Sequence, residues 1–107
     1  MDKNIKKIRE IIQSKAAINN LLIKKIILFG SRARMDNDDD SDFDILIVVS
    51  RDIGVEEKIA FFKDINNALA NERIPSDIMI KTENEFVALS GQVGTISYEA
   101  VKEGVTI

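Results

Sequence analysis

The sequence contains no cysteine, no histidine and no tryptophan, and only 1 proline and 5 glycines among its 107 residues. Without cysteine there is neither a disulfide framework nor a thiolate metal site. Without histidine, the commonest zinc ligand and the usual general base at neutral pH are both missing. Serine-protease triads and zinc hydrolase sites are therefore excluded. Any metal or proton chemistry has to use carboxylates, which favour hard cations such as Mg²⁺ and Mn²⁺.

Few residues interrupt regular structure, and 45% hydrophobic with 31% charged residues is typical of a soluble globular protein. A chain of this length builds one core, so we expect a single domain over residues 1–107. No hydrophobic run reaches the roughly 18 residues that a membrane span needs, and no signal-peptide pattern follows the start. We therefore expect a cytoplasmic protein without membrane contact.

The net charge is −3, which is a poor match for the nucleic-acid backbone. Its distribution is uneven, because residues 1–25 carry seven basic and two acidic groups, whereas six aspartates fall within residues 36–44. We expect no stable direct binding to nucleic acid. The oligomeric state, including a homo-oligomer, stays open.

Hydrophobic spacing predicts helices over 5–18, 55–69, 83–89 and 95–103 and strands over 26–29, 43–49 and 77–81. A further short helix is predicted after Gly30, with Ser31 as its N-cap. The stripe that defines the helix over 55–69 consists of Val55, Ile59, Phe62, Ile65 and Leu69. This order predicts an α/β or α+β domain, in which a small mixed sheet is flanked by helices.

Two carboxylates begin the second strand. Asp42 and Asp44 are two residues apart, so in a strand they lie on one face about 7 Å apart. Asp44 interrupts an apolar run, and burying its charge requires a cation or hydrogen bonds in compensation. Asp77 begins the third strand. If the two strands are neighbours, the three carboxylates can hold two divalent ions roughly 4 Å apart.

The complementary half of such a site is the turn at Gly30 and Ser31, because glycine lets the backbone approach a phosphate closely. Each signal alone is also typical of an ordinary turn or a solvated loop end, but their joint order is much less common. The turn has neither the Lys-Ser/Thr ending of a P-loop nor the three glycines of a dinucleotide fingerprint, so both of those folds are rejected.

Residues 30–34 (GSRAR) and 41–46 (SDFDIL) together resemble the signature of the DNA polymerase β-like nucleotidyltransferase superfamily. The resemblance covers the whole chain and is strongest to the minimal nucleotidyltransferases that act as antitoxins beside HEPN-domain toxins. It implies the nucleotidyltransferase fold, with ATP as donor and two Mg²⁺ ions as cofactors. One departure is Met35, where such sequences commonly have glycine.

The resemblance also implies roles for individual residues. The catalytic and metal-binding carboxylates are Asp42, Asp44 and Asp77, and the nucleotide-binding residues are Gly30, Ser31 and Arg32; Arg34 is an alternative to Arg32 for offsetting phosphate charge. The implied reaction is transfer of AMP from ATP to a protein hydroxyl, a tyrosine of a cognate HEPN toxin, which would make the chain an antitoxin.

A non-catalytic module of the same fold, neutralising its partner by sequestration, is the alternative. A template-directed polymerase is disfavoured, because 107 residues leave no second domain to hold a nucleic acid. Apolar residues late in the chain are candidates for the surface that docks the partner or for packing on the sheet: Ile96, Tyr98, Val101, Val105 and Ile107.

Overall fold

The computed structural model describes residues 3–107 as a four-stranded sheet with helices on both faces. The elements are α1 (Lys3–Ile18), β1 (Ile23–Phe29), α2 (Gly30–Arg34), β2 (Phe43–Val49), α3 (Val55–Asn71), β3 (Ser76–Thr82), α4 (Glu83–Leu89), α5 (Ile96–Glu103) and β4 (Val105–Thr106). The strand order is β3-β2-β1-β4. β2 runs parallel to β3, and β1 is antiparallel to both β2 and β4. The predicted small mixed sheet flanked by helices is confirmed.

The two faces of the sheet bury different side chains of β2, because successive residues of a strand point to opposite sides. Ile45 and Ile47 belong to the larger core, which packs against α1 and α3. Leu46 and Val48 belong to the smaller core, which packs against residues of α4 and α5. Asp44 has the same parity as Leu46, so it lies on the α4–α5 face.

The buried stripe of α3 differs from the predicted one. Ile65 and Leu69 are buried as expected, but the stripe continues to Phe61, which is fully buried. Phe62 remains 43% exposed, and Val55 and Ile59 are exposed as well. The physical reason is that Phe61, Ile65 and Leu69 recur every four residues, which keeps all three on one face of the helix.

Near the strand ends, one local prediction is corrected and one short strand is new. α2 begins at Gly30 and follows Phe29 directly, without a side-chain cap, so Ser31 lies in the first turn and is not the N-cap. β4 was not predicted, because two residues show no periodicity. Thr82 and Thr95 do cap α4 and α5, each accepting a backbone N–H three residues later. None of the helices in residues 3–107 combines the length and hydrophobicity needed to cross a membrane.

Candidate active site

Asp44 lies in β2, between the neighbouring strands β1 and β3. Its Cα partner in antiparallel β1 is Phe29, the residue before Gly30. Its partner in parallel β3 is Asp77. Neighbouring strands lie about 4.8 Å apart and paired residues share a face, so Asp44 and Asp77 project side by side. The second and third strands are thus neighbours, which is the condition under which Asp77 can join the other two carboxylates.

Gly30 closes the other side of Asp44. It has φ of +71°, the left-handed region that favours glycine. A Cβ atom built there would overlap Oδ2 of the Asp44 carboxylate. The turn therefore needs glycine for its backbone conformation and also for the room that Asp44 takes.

The electrostatics of the site are those of crowded acids. The pKa of Asp44 is raised above its ordinary value, first by burial and then by the negative charges of Asp77 and Asp42, with a smaller contribution from Glu103. Arg34 acts in the opposite direction. Asp42 and Asp77 are exposed, whereas Asp44 is half-buried, so the site is open to solvent on one side. A cation bound here would relieve the mutual repulsion of the carboxylates.

Within the described residues, no group of three or more acidic side chains is arranged to hold a metal ion. Asp44 and Asp77 are strand partners, and Asp42 lies in the loop just before β2. The fold thus brings Asp42 and Asp77 close enough for their charges to act on Asp44, but the three carboxylates do not form a complete set of metal ligands. Their assignment as metal ligands stays a prediction.

The two arginines of the turn have different surroundings. The Arg32 guanidinium donates to the backbone carbonyls of Ser41 and Asp39, at 2.8 to 3.2 Å, and lies 4.3 Å from the ring centroid of Phe43. Arg32 therefore fixes the aspartate-rich loop to the start of β2, and its role as a phosphate ligand stays a prediction. The hydroxyl of half-buried Ser31 makes no hydrogen bond to residues 3–107 and is available to a ligand.

Sequence reasoning missed Glu103. Its carboxylate accepts hydrogen bonds from the Gly30 backbone N–H at 3.2 Å and from Arg34 Nη1 at 3.0 and 3.1 Å. Arg34 also donates to Asp36 at 3.1 Å. Glu103 is 73 residues from Gly30, and no local pattern links the end of α5 to the turn after β1. The packing of α5 against β1, through Ala100, and the pairing of β4 with β1 bring them together.

Comparison with protein families settles what kind of domain carries this site. Residues 6–107 match the family described as "Polymerase beta, Nucleotidyltransferase". The chain belongs to this family. The match covers nearly all of the described residues, so the nucleotidyltransferase fold and the family resemblance expected from the GSRAR and SDFDIL motifs are both confirmed.

Two solved structures share the fold of this nucleotidyltransferase. A toxin–antitoxin crystallised with AMP-PNP aligns with a TM-score of 0.61 and 18% identity, over 91% of this chain and 69% of that chain. A Sulfolobus solfataricus protein with a provisional nucleotidyltransferase assignment, solved at 1.40 Å, aligns with a TM-score of 0.58 and 26% identity, over 94% and 76%. Comparison with curated proteins gives no significant match.

Proposed function

We propose that this nucleotidyltransferase transfers AMP from ATP to a protein hydroxyl, a tyrosine of a cognate HEPN-type toxin, and so acts as an antitoxin. The observation that carries the proposal is the fit of the Gly30 turn around Asp44, with Asp77 as the strand partner of Asp44. A structural relative is a toxin–antitoxin crystallised with AMP-PNP, which supports both a nucleotide and a protein partner.

The residues present suit Mg²⁺. All the charged donors are carboxylate oxygens, the ligands that Mg²⁺ prefers. Asp44 is half-buried near two other acids, and burial together with the charges of Asp77 and Asp42 raises its pKa despite the opposing charge of Arg34. Asp42 and Asp44 would hold the ion, and Asp77 would share the second one. When bound, Mg²⁺ neutralises charge on the triphosphate and lowers the pKa of the acceptor hydroxyl.

Different residues of the chain have different roles in the proposed AMP transfer. The turn at Gly30 and Ser31 holds the terminal phosphates, so that the α-phosphorus faces the carboxylates. The acceptor hydroxyl oxygen attacks the α-phosphorus, the bond from that phosphorus to the bridging oxygen of the β-phosphate breaks, and pyrophosphate leaves. We assign Asp77 as the exposed carboxylate that receives the hydroxyl proton.

The partner supplies the acceptor from the open side of the site. α5 ends at Glu103, beside the Gly30 turn, and carries the exposed apolar residue Val101 (56% exposed). Val105 (50% exposed) pairs with Leu28 of the larger core, so it lies on the opposite face of the sheet from Asp44. Ile96 and Ile107 instead pack against the two cores. The proposed docking surface is therefore narrower than the set of candidate residues and centres on Val101.

Sequestration without catalysis is the second candidate. Two observations favour it: no three acidic side chains among residues 3–107 are arranged to hold a metal ion, and the Glu103 carboxylate already accepts a hydrogen bond from the Gly30 amide. In that case the same surface would cover the toxin, and the acidic site would have no reaction to perform.

Intact-mass spectrometry separates the two candidates. The chain is co-expressed with the product of the neighbouring reading frame, and both proteins are weighed. We expect the partner to gain the mass of one or more AMP units with the wild type and none with Asp42→Asn, which keeps the shape of the side chain but loses its charge. A stable complex without added mass would establish sequestration instead.

A further inference from the structure

Glu103 occupies donors that a phosphate group would use. Its carboxylate accepts one hydrogen bond from the Gly30 N–H and two from Arg34, all between 3.0 and 3.2 Å. A backbone amide beside a guanidinium is a donor set that binds phosphate oxygens as well as carboxylate oxygens. Glu103 thus stands where the proposed function requires an anionic part of the nucleotide.

The position of Glu103 is fixed from both sides. It is the last residue of α5, and the next residue, Gly104, has no room for a side chain, because a Cβ atom would overlap the Ala100 carbonyl and Ile27 Cγ2. β4 then pairs with β1 at Ile27 and Leu28. The backbone at Glu103 is therefore held beside the turn by the packed end of α5 and by the pairing of β4 with β1.

Glu103 also adds negative charge to an acidic site. It is one of the groups that raise the pKa of Asp44. A triphosphate that enters the site meets this charge and has to take over the hydrogen bonds of Glu103 before it reaches Gly30 and Arg34. The pairing of Glu103 with Arg34 and the Gly30 N–H is therefore expected to lower the affinity of the site for anions.

We propose that Glu103 is an internal competitor of the triphosphate and sets the nucleotide affinity of this site. The identity of the ligand as a nucleotide rests on the proposed function, whereas the competition for an anion rests on the hydrogen bonds of Glu103 alone. Glu103→Gln retains the shape of the side chain but loses the charge, so it weakens the competitor without emptying the space.

The test is calorimetric titration of inorganic tripolyphosphate into the full chain in EDTA, which keeps metal ions out of the comparison. Glu103→Gln and Glu103→Ala should each bind tripolyphosphate about three- to tenfold more tightly than the wild type, the range expected for a partly exposed, charge-assisted pair. Glu99→Gln is the matched control, because it removes the same charge one helical turn earlier on α5 and should leave the affinity unchanged.

The results discriminate cleanly. A gain in both Glu103 variants and none in Glu99→Gln supports the competition. Equal affinities throughout, an equal gain in Glu99→Gln, or no binding in any variant that remains folded by circular dichroism would overturn it. Failure of the proposed function has a separate sign, namely loss of AMP transfer to the partner while Glu103→Gln still gains affinity for tripolyphosphate.

Discussion

Gly30 and Asp44 share a space that only one side chain can fill. The missing side chain of Gly30 leaves room for the Asp44 carboxylate, and the positive φ of Gly30 turns the chain away from β1 at that point. The turn and the half-buried acid are thus two parts of one local structure. The effects of substitutions at Gly30 and at Asp44 on stability should therefore depend on each other.

Gly30→Ala is expected to lower the free energy of unfolding by about 2–4 kcal/mol, because left-handed backbone strain and steric overlap add together. Urea denaturation measures the loss. Gly91→Ala is the control, since its Cβ would meet nothing within 4 Å and its φ is not positive. Adding Asp44→Ala to Gly30→Ala should recover the part of the lost stability that is due to steric overlap. The Cβ atom of residue 30 would then lie 3.4 Å from the Asp44 Cβ, which is an ordinary contact distance. A double variant no more stable than Gly30→Ala would contradict the shared space.

Asp44→Asn is expected to stabilise the protein at pH 7 in EDTA while it abolishes AMP transfer. Burial and the charges of Asp77 and Asp42 raise the pKa of Asp44 in the folded state. The ionised carboxylate therefore opposes folding above that pKa, and wild-type stability recovers as the pH falls and Asp44 takes up a proton. Urea denaturation at pH 7 and pH 4 should show the advantage of Asp44→Asn shrinking at the lower pH. Asp40→Asn, in the exposed loop, should change stability little at either pH.

Mg²⁺ is expected to tighten ATP binding, because it offsets the repulsion between the triphosphate and the three aspartates. Calorimetry with ATP in Mg²⁺ and in EDTA measures the difference. Asp42→Asn should reduce the Mg²⁺-dependent gain in ATP affinity by about tenfold or more, since it removes the charge of a proposed metal ligand. Equal ATP affinity in Mg²⁺ and EDTA would remove the metal from the mechanism.

Met35→Gly is expected to raise the free energy of unfolding by about 0.5–1 kcal/mol. Met35 ends α2 with φ of 64°, a left-handed conformation that glycine adopts at less cost. Its side chain is 87% exposed, so little packing is lost. Thermal denaturation measures the gain. Asp40→Gly, an exposed loop position without a positive φ, should lower stability instead, and a loss in both variants would contradict the interpretation.

Val101→Asp is expected to weaken binding of the proposed toxin partner by about tenfold or more, because it places a charge in the proposed apolar docking surface. Val93→Asp is the matched control: Val93 is 82% exposed and lies in the turn between α4 and α5. Both variants should keep the melting temperature of the wild type. Equal loss of binding in the two variants, measured by surface plasmon resonance, would place the docking surface elsewhere.

The long elements could be predicted because their hydrophobic spacing is strong over many residues. β2 and α4 are recovered in full, and α1 is recovered except for its first two residues. The stripe of α3 was misjudged because the sequence places Phe61 and Phe62 side by side. Which of two adjacent aromatic residues turns inward depends on the sheet beneath the helix, and that sheet is not visible in a local window.

The centre of the site could be predicted for a related reason. Asp44 is an acid within an apolar strand, and such a residue requires neighbours that compensate its charge. The contacts of Arg32 and Glu103 could not be predicted in the same way. A guanidinium finds carbonyl partners in many surroundings. The approach of Glu103 to Gly30 depends on the packing of α5 against β1 and on the two-residue pairing of β4. That pairing carries too little sequence to recognise.

β4 has a consequence for the handling of the protein. The outer edge of β1 belongs to the apolar segment Ile26 to Phe29, and β4 pairs with it at Ile27 and Leu28, while the Ile107 N–H donates to the Ile26 carbonyl at 2.9 Å. An uncovered strand of this composition is a template for pairing between molecules. The short strand that follows α5 therefore protects this edge against aggregation, and deleting residues 105–107 should make the purified protein precipitate at concentrations where the intact chain stays in solution.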